Sequence, residues 1–319
     1  MIWIYILIFL ASCFILIKSG TWLVRALSRI AHILGWNEFL VTFFLVGFAT
    51  SLPELFVGIS SAFHKFPQLS FGNIIGANIL NLTLGIGLTV LVVGGIKLKS
   101  KVVRKNSFYA AFFAFLPFIL MLDKTVSRID GIILLLALGL YAHRILGNKQ
   151  KFSKIFLNHY KPGNTSKFKN FLKDLGLLFI SFALLLLASE AIVRTMNFLA
   201  IEAKLPLVVA GALFVSLGTV LPEISFGIRA IMMGHKDMIL GDFMGTIVIN
   251  STLILGLVSI ISPFAIANFS PYLVGIIFTF LIVLSFAYFS RTDREISKKE
   301  ACILISFYIL FITAQILIS

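Results

Sequence analysis

Two short stretches hold the residues able to do chemistry, Phe48-Ala-Thr-Ser-Leu-Pro-Glu54 and Leu217-Gly-Thr-Val-Leu-Pro-Glu223. Each sets a Thr, a Pro and a Glu at the same spacing inside an otherwise apolar segment. A carboxylate at membrane depth costs a few kcal/mol even on the most lenient scale, so an intramembrane Glu marks a functional site by default. Proline lacks the amide that would bond the carbonyl four residues earlier, so Pro53 frees the Ala49 carbonyl and Pro222 frees that of Gly218. Carboxylate, hydroxyl and unpaired carbonyl oxygens then fall within one helical turn, which is the donor set of a hard cation.

Downstream of each motif runs a glycine-spaced stretch, Gly72-Asn-Ile-Ile-Gly-Ala-Asn-Ile-Leu-Asn81 and Gly241-Asp-Phe-Met-Gly-Thr-Ile-Val-Ile-Asn250. The glycine pairs Gly72/Gly76 and Gly241/Gly245 let helix backbones approach closely, a purely structural use. The amides beside them need another account. Asn73, Ala77 and Asn81 fall on one helix face, as do Asp242, Thr246 and Asn250, and that face can meet the helix carrying Thr50 and Glu54. Asp242 lies too far along its helix from Asn250 to share one site, and an Asp opening a helix is more often a cap.

These motifs need apolar elements to hold them. The 319 residues are 59% hydrophobic and 13% charged, and apolar runs near the length of a bilayer crossing recur along the whole chain. Ten spans are expected: Ile2 to Leu27, Glu38 to Phe63, Gln68 to Val93, Ser107 to Leu122, Asp130 to Leu146, Leu172 to Leu199, Leu205 to Met233, Met238 to Ile261, Pro271 to Ser290 and Lys299 to Ile318. The apolar start has no basic residue before Lys18 and reads as a retained span, not a cleaved signal. Residues 148–171 form the one substantial loop, basic and polar, between halves at 1–147 and 172–319. Of the 27 Lys and Arg, 21 fall on the side of the odd-numbered loops. That bias puts this side in the cytoplasm and both termini outside the cell membrane. It also accounts for the net charge of +14 without nucleic acid.

The halves repeat. Thr50 and Thr219, Glu54 and Glu223, Gly72 and Gly241, Gly76 and Gly245, and Asn81 and Asn250 are all 169 residues apart. Five spans per half is odd, so the second copy enters from the opposite side, an inverted-topology repeat with its site near the midplane. The fold expected is therefore an all-α membrane protein of two inverted five-helix repeats, with helices broken at Pro53 and Pro222.

The paired motif regions, 47–81 and 216–250, resemble the two α-repeats of the calcium/cation antiporter superfamily, most of all its prokaryotic sodium/calcium exchanger branch. The resemblance covers essentially the whole chain. It implies that Glu54 and Glu223 bind calcium with oxygens from Thr50, Thr219, Asn81 and Asn250. Family sodium sites map to Ser51, Val220, Ala77 and Thr246, with backbone carbonyls at Gly47 and Ser216. Three positions depart from the pattern: Val220 and Ala77 lack the hydroxyl, and Asn250 stands where exchangers often keep an Asp. The two glutamates remain the central carboxylates, enough for one calcium ion. Calcium/sodium exchange by alternating access is expected, with calcium/proton antiport of the same fold as the alternative, because the glutamates can themselves take protons. The transported ions and the lipid bilayer are the implied partners; neither a cofactor nor an obligate protein partner is.

A passive cation channel is the reading from another class, separated by its indifference to a counter-ion. An intramembrane hydrolase is disfavoured, since no HExxH, GxSxG or paired-aspartate motif lies in a span. Elsewhere, Glu190 and Arg194 are spaced to pair with each other. Lys18 reads as a snorkelling cation, and His64 and His235 as solvated loop residues. Cys13 and Cys302 read as small buried hydrophobes.

Overall fold

Apolar length decides the architecture. In the computed structural model, which describes residues 2–33, 47–97, 112–146, 167–232, 236–292 and 295–318, nearly every residue is helical. Six helices among the described residues are long and apolar enough to cross a membrane: Ile2–Leu27, Pro67–Val93, Phe171–Glu202, Leu207–Ile224, Phe243–Ile261 and Lys298–Ile318. The other four expected spans fall on Leu52–Phe63, Phe112–Asp123, Arg128–Leu146 and Ser270–Thr292. The beginning of the second and fourth spans, most of the basic loop and His235 lie outside the described residues.

Burial sorts these helices into a centre and a rim. In the apolar stretch of Pro67–Val93, 83% of residues are buried, against 28% in those of Ile2–Leu27 and Lys298–Ile318. Large apolar side chains such as Leu140 and Leu317 face outward, as suits a surface whose solvent is hydrocarbon. Cys13 is buried as expected, but Cys302 is exposed; it lies on the outward face of its helix, beside exposed Ile303. The helix over Ile2–Ile33 (α1) packs along most of its length on the one over Lys167–Glu202 (α2). Both Arg29 Nε and its terminal nitrogen reach Asp174 Oδ1, at 2.8 and 2.7 Å.

The two prolines act differently. Gly47–Thr50 (α3) ends at Ser51, and a new helix, Leu52–Phe63 (α4), starts with Pro53 in its first turn, where its missing amide is no loss. The second break, expected at Pro222, is not present as an interruption. Ser216–Met232 (α5) is one α-helix with Pro222 inside it. The irregularity lies two to three turns upstream instead, as a π-turn over Gly211–Val215, which supplies the local unwinding that a proline would otherwise force.

Two further π-turns open on the motif asparagines, Asn81–Gly85 and Asn250–Ile254. They occupy corresponding places in the two halves. In each, a threonine two residues on, Thr83 or Thr252, donates back to the carbonyl four residues earlier at 2.6 Å. Other features also occur twice. Ser127 with Asp130 and Ser297 with Glu300 form reciprocal caps at the start of helices. Arg128–Leu146 packs on Leu255–Ile261, and Lys298–Ile318 packs on Ile86–Val93. Two miniature antiparallel ribbons tie the halves together. Ile96–Lys97 pairs with Glu295–Ile296, and Thr125–Val126 pairs with Phe264–Ala265.

Candidate functional site

The central helices meet closely because glycine allows it. A Cβ on Gly76 would overlap the Ala212 carbonyl and the Ser216 hydroxyl, and one on Gly211 would overlap the Leu69 carbonyl. Pro67–Leu80 (α6) therefore lies directly on the π-turn that leads into α5, and the polar residues of both halves share one buried volume. The counterpart contact of Gly245 would involve chain outside the described residues.

Glu54 lies in the first turn of α4, where the helix dipole favours a carboxylate. Glu223 follows Pro222 within α5. Both are fully buried, as are Thr219, Asn81, Asn250, Thr246 and Ser216, and Thr50 and Ser51 are nearly so. Gly47 opens α3 one turn before Ser51. The ten residues expected at the site are thus on four neighbouring segments, two from each half. Val220 and Ala77 are buried alongside them and contribute no side-chain oxygen.

The hydrogen bonds cross between the halves. Asn81 Nδ2 donates to Glu223 Oε2 at 2.6 Å. The Thr219 hydroxyl lies beside Glu54 and within reach of Asn73 Oδ1 at 3.2 Å and the Ser216 carbonyl at 3.3 Å. Ser216 itself donates to the Ala212 carbonyl at 2.6 Å. Asn250 Nδ2 donates to Asn78 Oδ1 at 3.4 Å, and Asn78 Nδ2 donates to Ser251 Oγ at 2.8 Å. Asn78, although part of the glycine-spaced stretch, and Ser251 take no role from the sequence because neither has a polar counterpart 169 residues away: Ile247 and Leu82 stand there.

What remains unsatisfied is mostly oxygen. Among the described residues, both carboxylate oxygens of Glu54, Asn81 Oδ1, Asn250 Oδ1 and the Thr246 hydroxyl make no hydrogen bond of good geometry. A buried carboxylate without a partner is strongly unfavourable, and an array of acceptors with few donors is completed by a cation. No cluster of three or more His, Cys, Asp or Glu occurs among the described residues. The chemistry on offer is that of carboxylate, amide and hydroxyl oxygen, which suits hard cations over nitrogen- or sulfur-seeking metals.

A second polar cluster lies outside this site. Glu190 on α2 accepts from Arg194 Nε at 2.6 Å and from the Ser60 hydroxyl at 2.8 Å, and its other contact is His64 Nε2 at 2.9 Å. The expected Glu190–Arg194 pair is present. His64 differs from the expected solvated residue, because its ring is held between Glu190 and the Ser60 carbonyl. The cluster joins α2 to the end of α4.

The model of the family described as "Sodium/calcium exchanger protein" matches residues 4–146 and again 173–317. The sodium/calcium exchanger MaX1 of Methanosarcina acetivorans is 26% identical over 98% of each chain, and the inner membrane protein YrbG of Escherichia coli is 26% identical over 78% of this chain and 77% of its own. Among solved structures, that of the sodium-calcium exchanger NCX_Mj covers 98% of this chain and 99% of its own with TM-score 0.66 at 23% identity. The H+/Ca2+ exchanger CAX covers 98% of this chain and 87% of its own with TM-score 0.76 at 16% identity. With one match of the family model in each half and almost nothing left over, the chain belongs to the sodium/calcium exchanger protein family.

Proposed function

We propose that this protein is a secondary active transporter that exchanges calcium for sodium, using Glu54 and Glu223 as the carboxylates that carry the divalent ion. The observation that carries this reading is the buried set of oxygens without donors, led by both oxygens of Glu54. Two carboxylates balance the charge of one calcium ion. Asn81, Asn250, Thr50 and Thr219 add neutral oxygens, and Ser51, Thr246 and the carbonyls at Gly47 and Ser216 serve the counter-ions. With the ion bound, the site is electrically neutral and can be carried past apolar walls; without it, two buried charges oppose the move. Alternating access follows from that difference.

The chain is divided at the basic loop into repeats 1–147 and 172–319. In each repeat we count five crossings, ten in all, with both termini outside the cell membrane. The swapped ribbons support an inverted arrangement. Ile96–Lys97 follows the third span and Phe264–Ala265, one residue off the 169 offset, follows the eighth; each pairs with the strand that precedes the last span of the other half. The pair α1–α2, lying across both motif helices with Gly20 against Pro53 and Cys13 against Gly218, is the element that moves.

Calcium/proton exchange is a second reading with its own observation. Val220 and Ala77 leave the site without two hydroxyls, and the fold is also that of a solved H+/Ca2+ exchanger. Calcium-45 uptake into proteoliposomes separates them. Uptake driven by an outward sodium gradient is the expected result. Uptake driven only by an outward proton gradient transfers the protein to the second reading, and gradient-independent uptake makes it a channel.

A further inference from the structure

The two motif asparagines occupy equivalent positions but face different partners. Asn81 turns its amide onto Glu223. By the symmetry of the halves, Asn250 belongs beside Glu54, and the π-turn that it opens packs on the helix carrying that residue. Its amide nevertheless points away, donating to Asn78 Oδ1, while its own oxygen makes no hydrogen bond. Asn78 is held in turn by Ser251. Since Ile247 and Leu82 stand at the equivalent positions in the other copy, no such chain acts on Asn81. The result is a one-sided site: Glu223 is capped by an amide, whereas Glu54 has the Thr219 hydroxyl beside it and no amide.

We propose that Asn78 and Ser251 are positioning residues, which hold the Asn250 carboxamide with its oxygen toward the cation and its amide away from Glu54. The inference rests on Asn250 being an ion ligand, as argued above. The orientation of an Asn amide follows from its hydrogen-bond network, and a serine hydroxyl alone allows either sense. In the structure the chain runs one way, from Asn250 Nδ2 to Asn78 Oδ1 and from Asn78 Nδ2 to Ser251 Oγ. Asn78, Ser251 and Thr279 line a pocket of about 10 Å³ together with Phe71, Ile74 and Pro117, about the least that accommodates one water. The Thr279 hydroxyl is buried and makes no hydrogen bond among the described residues. A water there that accepts the Ser251 proton completes the chain in the same sense, with Ser251 accepting from Asn78 and Asn78 from Asn250. Each bond polarises the next, and the negative end of the chain is the Asn250 oxygen.

The test is equilibrium calcium-45 binding to purified protein in detergent, with the melting temperature recorded as a check of folding. Asn78→Leu frees the Asn250 amide to turn onto Glu54, and calcium binding is expected to weaken by about tenfold or more, the usual effect of removing a group that orients a ligand. Ser251→Ala and Thr279→Val shift it the same way by smaller factors, and Ser251→Ala replaces Asn78→Leu as the deciding variant if the latter does not fold. In an Asn250→Asp background both ends of the side chain are oxygen, so adding Asn78→Leu should change affinity less than about twofold, the coupling expected of groups in one network. An equal loss in both backgrounds would make Asn78 a packing residue and overturn the proposal. So would unchanged binding in Asn78→Leu alongside weakened binding in Asn250→Ala. Unchanged binding in Asn250→Ala refutes the ligand reading itself.

Discussion

Replacing Glu54 by Gln keeps the shape of the side chain and removes one charge. In the parent, two carboxylates and one calcium ion sum to zero; in Glu54→Gln, the loaded site carries a net charge of plus one. Glu54 is fully buried, and no third acidic residue clusters with Glu54 and Glu223 among those described, so nothing nearby offsets that positive charge. A single uncompensated charge at the bilayer centre costs about 2.5–3.5 kcal/mol on the insertion scale. At about 1.4 kcal/mol per factor of ten, this lowers the population of the neutral, transferable state by roughly a hundredfold. The assay is initial-rate calcium-45 exchange in proteoliposomes, normalised to reconstituted protein. A Glu54→Gln protein that retains more than about a tenth of the parental rate would refute the argument that charge neutrality gates the transfer.

Three other substitutions probe the parts that hold the site. Gly76→Ala drives a methyl into the Ala212 carbonyl and the Ser216 hydroxyl; overpacking of this kind costs about 1–3 kcal/mol, and the melting temperature should fall together with calcium affinity. An unchanged melting temperature would show that the helices do not meet there. Asp174→Asn removes the charge that accepts both Arg29 bonds; because the arginine is 48% exposed, the loss should be about 1 kcal/mol or less, read as a small drop in thermal stability with calcium binding intact. Glu190→Gln removes the charge that ties α2 to His64 and Ser60 and that pairs with Arg194 one turn along the same helix. With Arg194 exposed and His64 partly so, it should alter the exchange rate by no more than about fivefold, and a loss as large as that of Glu54→Gln would place Glu190 on the ion path.

The motif residues were legible because they break a rule of their surroundings. Two glutamates, several threonines and three asparagines in hydrocarbon demand a reason, and their recurrence at one offset supplied it. The same offset test is blind to whatever the copies do not share. Asn78 and Ser251 have apolar counterparts, and so passed as neighbours of the motif. Helix irregularity was legible only as proline. Pro53 coincides with a real break, whereas Pro222 is absorbed into a continuous helix, and the π-turns fall at residues whose propensities do not mark them. Strands of two residues, as in the swapped ribbons, are too short for any periodicity to register. The environment of His64 depends on Glu190, which is far away in the chain and near only after folding. Exposure of Cys302 is likewise a matter of which helix face meets lipid, and an all-round apolar helix does not declare its face.

The central claim is that one calcium ion sits between carboxylates from the two halves, and a structure determined with calcium bound tests it most directly. The account predicts one ion within about 2.3–2.6 Å of oxygens from both Glu54 and Glu223, with the Asn250 oxygen turned to it. An ion held by only one of the two glutamates, or bound away from both, would contradict it.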